Sequence, residues 1–217
     1  MLEAKRPVEH VSILVGMRAS FDDRWIWSNR YSSLGLSLTF VEGGDEGGVL
    51  RAFGADPGEA EVLSLDECGE EFGYELPVIR VGEVGGWRFA FELFGRSGSQ
   101  EDVVVALSRG SRVVQVLRTG SAVSVFRYAV GGQMVCSLDP LMPQSRSGSD
   151  PDRLLDAMRT VGLDPDRPDD ELDALTAMLR LVSEVFGIVL EAGIVEGPLL
   201  SAEQSVDMSW LDADNEV

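Results

Sequence analysis

Residues 112–138 read RVVQVLRTGSAVSVFRYAVGGQMVCSL, and this stretch decides the fold. Three runs rich in β-branched and aromatic side chains, Arg112–Leu117, Ala122–Val130 and Gln133–Leu138, are separated by Thr119-Gly120 and Gly131-Gly132. Such side chains suit a pleated, half-buried surface. Glycine-bearing dipeptides of this kind suit the positive φ that tight hairpin turns require. The stretch predicts a three-stranded antiparallel meander.

Moving towards the N-terminus, Trp87–Leu93 alternates. Trp87, Phe89, Phe91 and Leu93 share one face of a strand, with Arg88, Ala90 and Glu92 on the other. Pro77–Val81 and a turn over Gly82–Gly86 complete a hairpin with it. Leu36–Val41 reads as another strand, and Trp25-Ile26-Trp27 as an extended segment with both indoles on one side. Short helices are predicted at Val49–Phe53, closed by Gly54, and at Gln100–Ser108, where Ser99 and Asp102 form a capping box. Ala55–Glu75 reads as an acidic loop with a short strand at Glu61–Leu65. Moving towards the C-terminus, Asp139–Asp150 is a linker, and Asp150-Pro151 opens a helix running to Val161. A longer helix spans Asp170–Leu190. Its two adjacent apolar stripes, one through Leu175, Leu179 and Val182 and one through Met178, Leu181 and Val185, make a face too wide for a coiled-coil seam. The fold class expected is α+β: an antiparallel sheet with helices packed on one face and a C-terminal helical pair. Residues 1–20 would be an extension or edge strand, 21–195 a single domain, and 196–217 an acidic tail.

The segments Trp25-Ile26-Trp27 through Leu38-Thr39-Phe40-Val41, Gly86-Trp87-Arg88-Phe89-Ala90-Phe91-Glu92, the Val103–Ser108 helix and Gly148-Ser149-Asp150-Pro151-Asp152 together carry a resemblance. The chain resembles an actinobacterial family of uncharacterised proteins catalogued as a domain of unknown function, over about residues 21–195. The resemblance implies an order of elements. It brings no catalytic residues with it.

The 217-residue chain carries 18 Lys+Arg against 37 Asp+Glu, a formal charge of −19. The charge is uneven: residues 41–75 have a net charge of −10 and residues 151–217 of −12, flanking a centre of +2. Nucleic acids and anionic membranes require a basic footprint, so neither is expected as a partner. No apolar run approaches the roughly 18–20 residues that a membrane helix needs. A cytoplasmic location is expected, with Cys68 and Cys136 as free thiols. Lys5 is the single lysine and lies outside any phosphate-binding loop. His10 is the single histidine and lies away from the organised centre, which excludes most Ser-His and Cys-His chemistry. Asp164-Pro165-Asp166 begins like a calcium loop, but Asp169 stands where that loop needs glycine and Leu175 where it needs glutamate. No metal, cofactor or catalytic constellation is expected.

The side chains best suited to contact a partner are Trp25, Trp27, Arg30 and Trp210, since tryptophan and arginine dominate interface energetics. Arg88 and Glu92 share a strand face about 13 Å apart, too far to touch, and each is expected to pair across the sheet surface. The leading expectation is a non-enzymatic protein-interaction module, such as an immunity protein or regulatory adaptor, that binds a basic partner protein. The alternative is an enzyme or small-molecule binder using Glu92, Arg88 and Arg127 on the central sheet. An acidic mimic of DNA is a third class.

Overall fold

A computed structural model describes residues 24–73, 77–93, 101–167 and 171–205. The meander is present as β5 (Arg112–Thr119), β6 (Ser124–Val130) and β7 (Gln133–Leu138). Gly131 and Gly132, at φ +60° and +81°, make its second turn, as the left-handed geometry of a two-residue hairpin demands. Ahead of it come β1 (Gly35–Glu42), β2 (Glu61–Leu63), β3 (Val78–Val84) and β4 (Trp87–Leu93), and β8 (Leu199–Glu203) follows. All eight strands form one antiparallel sheet in the order β2-β8-β3-β4-β1-β5-β6-β7. The helices are α1 (Glu46–Ala52), α2 (Leu65–Phe72), α3 (Glu101–Leu107), α4 (Leu155–Thr160), α5 (Ala174–Phe186) and α6 (Ala192–Val195). The molecule is α+β.

Helices cover both faces of the sheet, not one. The reason lies in β1, which is buried at every position from Gly35 to Val41, so both sets of alternating side chains need cover. Leu38, Phe40, Phe89, Phe91 and Phe126 line one face and belong to the same core as Leu175, Met178 and Val182 of α5. Each fully buried side chain of this kind contributes about 1.5–3 kcal/mol relative to exposure. Val41, Ile79, Ala90 and Val113 line the other face, in a core shared with Val49 and Leu50 of α1 and Val104 of α3.

Helix α5 is set by its ends. Asp173 caps it by accepting from the Thr176 backbone N–H at 2.8 Å. Gly187, at φ +67°, turns it off in a left-handed C-cap short of the expected Leu190. Gly82 lies inside β3 rather than in the turn, because a Cβ there would stand 2.8 Å from the Phe89 ring and 2.7 Å from Leu199 Cδ2. Gly85-Gly86 makes that turn instead.

Three further expectations change. Ile26–Arg30 is a 3-10 helix, not an extended segment. The expected acidic loop contains α2, opened by a capping box in which Ser64 accepts from the Glu67 N–H and Glu67 accepts from the Ser64 N–H. The expected tail contributes β8, which pairs with β2 on one side and β3 on the other. Residues 199–203 are thus an inner strand of the sheet, and the domain extends beyond residue 195. The expectations at His10–Met17, Ser99 and Trp210 lie outside the described residues.

Candidate functional site

The predicted contact residues part company in the structure. Trp25 and Trp27 are buried, 3 % and 2 % exposed, with ring centroids 6.2 Å apart. Each indole N–H is satisfied inside: Trp25 donates to Ser183 Oγ at 2.9 Å and Trp27 to the Leu190 carbonyl at 2.7 Å. These bonds fasten the 3-10 helix to α5 and the segment after it, so neither indole offers a surface to a partner. Ile26 between them is the exposed one. Arg30 is exposed and pairs with Glu196 at 2.9 Å. Arg88 pairs with its cross-strand neighbour Glu83, as expected.

Glu92 departs from expectation. It is fully buried and accepts from Gln204 Nε2 at 3.0 Å. It belongs to a polar row on the α1/α3 face of the sheet, where Gln115 donates to Thr39 Oγ1 at 3.0 Å and Arg127 donates to Gln115 Oε1 at 2.7 Å. Burial pulls the Arg127 pKa below its usual value. Alternation along β1, β4, β5 and β6 reads these residues as facing solvent, but α1 and α3 share that face. The cavity beside α2 described below and a second one beside α1 and α3 are not lined by Glu92, Gln115 or Arg127. The carboxylates of the abortive calcium loop, Asp164 and Asp166, face Arg159 instead.

A second group of residues gathers around α2, within the segment read from sequence as an acidic loop. Its outward side carries Asp66, Glu67, Glu70 and Glu71, all exposed. With Asp56, Glu59 and Glu61, residues 55–73 hold seven exposed carboxylates and no basic residue. No ion pair among the described residues involves any of the seven. Asp66 and Glu67 at the helix start suit the macrodipole, and the Ser64 backbone N–H holds the Glu67 carboxyl below its usual pKa. Glu70 and Glu71 stand in the last turn, where the dipole opposes them. Asp66/Glu70 and Glu67/Glu71 are also like-charged neighbours at i,i+4, which destabilises a helix. Beside the helix runs β2, an edge strand with Val62 66 % exposed.

The inward side of α2 carries Cys68, 5 % exposed. Beneath it lies Arg80 of β3, 2 % exposed. The Arg80 guanidinium donates through Nη2 to the Leu63 and Gly197 carbonyls, both at 2.7 Å, through Nη1 to the Val195 carbonyl, and through Nε to Ser201 Oγ at 3.4 Å. These bonds tie β3 to β2, to the end of α6 and to β8. Burial lowers the Arg80 pKa, and the nearby Cys68 sulfur acts to raise it. Between α2 and the sheet is a cavity of about 240 Å³ that opens to solvent and is lined by Arg80, Cys68, Tyr31 and the apolar side chains of Leu65, Phe91 and Leu93. Sequence reasoning had one signal for this region, the Ser64-x-x-Glu67 capping box, and none for the cavity.

Among the described residues, fold and site together define an α+β protein whose eight-stranded sheet carries an acidic edge helix laid over a cavity with an arginine in its wall. The chain belongs to a family of unknown function (DUF6461), whose model matches residues 17–197. No curated protein and no solved structure matches the chain.

Proposed function

We propose that the protein is a non-enzymatic interaction module that binds a basic partner protein through the acidic surface of α2 and the adjoining edge strand β2. The observation that carries this reading is the placement of Glu70 and Glu71. They occupy the helix end where acidic side chains cost stability, and no cation among the described residues compensates them. Charges kept against local stability are expected where a surface serves recognition. The free edge of β2 adds unpaired backbone groups beside the carboxylates, the arrangement that an added strand uses. The same reading places the protein in the cytoplasm, where Cys68 and Cys136, both free thiols, stay reduced. An enzyme built on Glu92 and Arg127 is the weaker reading, because both spend hydrogen bonds on neighbouring side chains, Glu92 on Gln204 and Arg127 on Gln115.

The test compares the full chain with its Glu70→Lys/Glu71→Lys variant, each immobilised and exposed to lysate of the source cells at physiological salt. A basic protein retained by the native chain, released by raised salt and lost by the variant supports the reading. Equal retention by both, or none by the native chain, overturns it.

A further inference from the structure

We infer that the cavity under α2 is a binding site for a small organic monoanion, a carboxylate with an apolar body of about one aromatic ring. The inference stands apart from the interaction reading, which uses the outer side of the same helix. It rests on an imbalance of charge at Arg80. A buried guanidinium needs compensation, because removing a charge from water costs several kcal/mol after relaxation. The oxygens that accept from Arg80 among the described residues are all neutral, three backbone carbonyls and one hydroxyl, and the Cys68 sulfur is the remaining neighbour of its N–H groups. No ion pair among the described residues includes it. These bonds use four of the five N–H groups of a guanidinium. The side chain is therefore held rigidly at the cavity wall with no carboxylate beside it and one N–H that no oxygen takes, the weakly accepting Cys68 sulfur being its neighbour there.

The rest of the wall sets the ligand class. Leu65, Val78 and Leu93, each partly exposed, supply an apolar surface. The volume of about 240 Å³ equals roughly eight water volumes, below the range of drug-sized pockets. Asp66 stands exposed at the rim and disfavours a polyanion. A monocarboxylate answers all three conditions: one negative charge for Arg80, an apolar body for the wall, and a small size. Carboxylate and guanidinium also match in geometry, which makes the charge-assisted hydrogen bond directional.

Cys68 provides a reporter inside the cavity. Iodoacetate and iodoacetamide both alkylate a thiolate: the sulfur attacks the methylene carbon, the C–I bond breaks, iodide leaves, and the thiol proton passes to solvent. They differ in that iodoacetate carries the proposed head group. The experiment treats the full native chain with each reagent and maps the modified cysteine by mass spectrometry. Glutathione gives the reference ratio, and Cys136, fully buried with its pKa pushed by burial to about 11, is the internal control. At Cys68 the ratio of iodoacetate to iodoacetamide rate is expected to exceed the glutathione ratio at least about tenfold, the effect of one hydrogen bond to a charged group. The net charge of −19 would by itself push that ratio the other way. Phenylacetate should protect Cys68, whereas phenylacetamide and inorganic phosphate should not. Leu34→Trp, which enlarges a half-exposed residue of the cavity wall, should slow both reagents and abolish the protection. A ratio equal to that of glutathione, a Cys68 that neither reagent reaches, or equal protection by phenylacetate and phenylacetamide would overturn the assignment. Equal protection by phosphate would overturn the apolar part of the ligand class.

Discussion

Tyr31 joins two stretches of chain that lie 165 positions apart in sequence. Its hydroxyl donates to Glu196 Oε1 at 2.8 Å, and the same oxygen accepts from Arg30 at 2.9 Å. Burial, reinforced by the bond to Glu196, raises the Tyr31 pKa from 10.0 to about 12. The folded chain therefore holds this proton more tightly than the unfolded chain does. That contribution to stability is complete below pH 10.0 and is lost as the pH rises to about 12. Tyr31→Phe removes the titrating proton, so its urea midpoint should fall less steeply over that interval than the native one. Parallel pH profiles would show that the alkaline loss arises elsewhere. Single residues also mark where sequence reasoning stops. Glu92 and Gln115 alternate with apolar neighbours just as surface side chains do, and only the second pair of helices makes them interior. Alternation distinguishes two faces of a strand; it does not say what lies above each.

At the scale of elements, α2 sets recognition against stability. Its capping box and Cys68 hold it in place, while Glu70 and Glu71 work against it. Glu71→Lys replaces an unfavourable charge in the last turn with a favourable one and turns the Glu67 pair from repulsive to attractive. It should stabilise the chain by about 0.3–1 kcal/mol, read as a raised melting temperature at low salt. A melting temperature that falls or stays level would show that these carboxylates have partners that offset their repulsion. The elements legible from sequence were those with a strong local period: β4 at its full length, the β5–β7 meander and the body of α5. Helix α2 was hidden by the acid content of its own sequence, although Ser64 and Glu67 announce its start. Strand β8 was hidden because Leu199-Leu200-Ser201-Ala202-Glu203 is short, lacks clean alternation and takes its order from β2 and β3.

At the scale of the whole molecule, the sheet is not laid down in chain order. Strand β8 follows every other element of the described residues, yet lies second from one edge of the sheet. The family match ends at residue 197, two residues before β8 begins. A chain cut after residue 197 would lose the pairing partner of both β2 and β3, along with Ser201 beneath Arg80. It should fail to give the cooperative urea transition of the full chain, whereas a chain ending at residue 205 should retain it. A sharp transition in the shorter chain would show that β8 is dispensable. The cavity depends on the same late segment, since three of the four oxygens that hold Arg80 belong to Val195, Gly197 and Ser201.

The order of synthesis gives that dependence a further meaning. On the ribosome, β1 and β4 to β7 emerge with every strand they pair with, while β2, the outer edge of β3 and the guanidinium of Arg80 wait for the segment that carries Val195 to Glu203. A nascent chain can thus build its hydrophobic centre early and still leave one margin unfinished. That margin is the place where a chaperone or an untimely second strand would find an open seam.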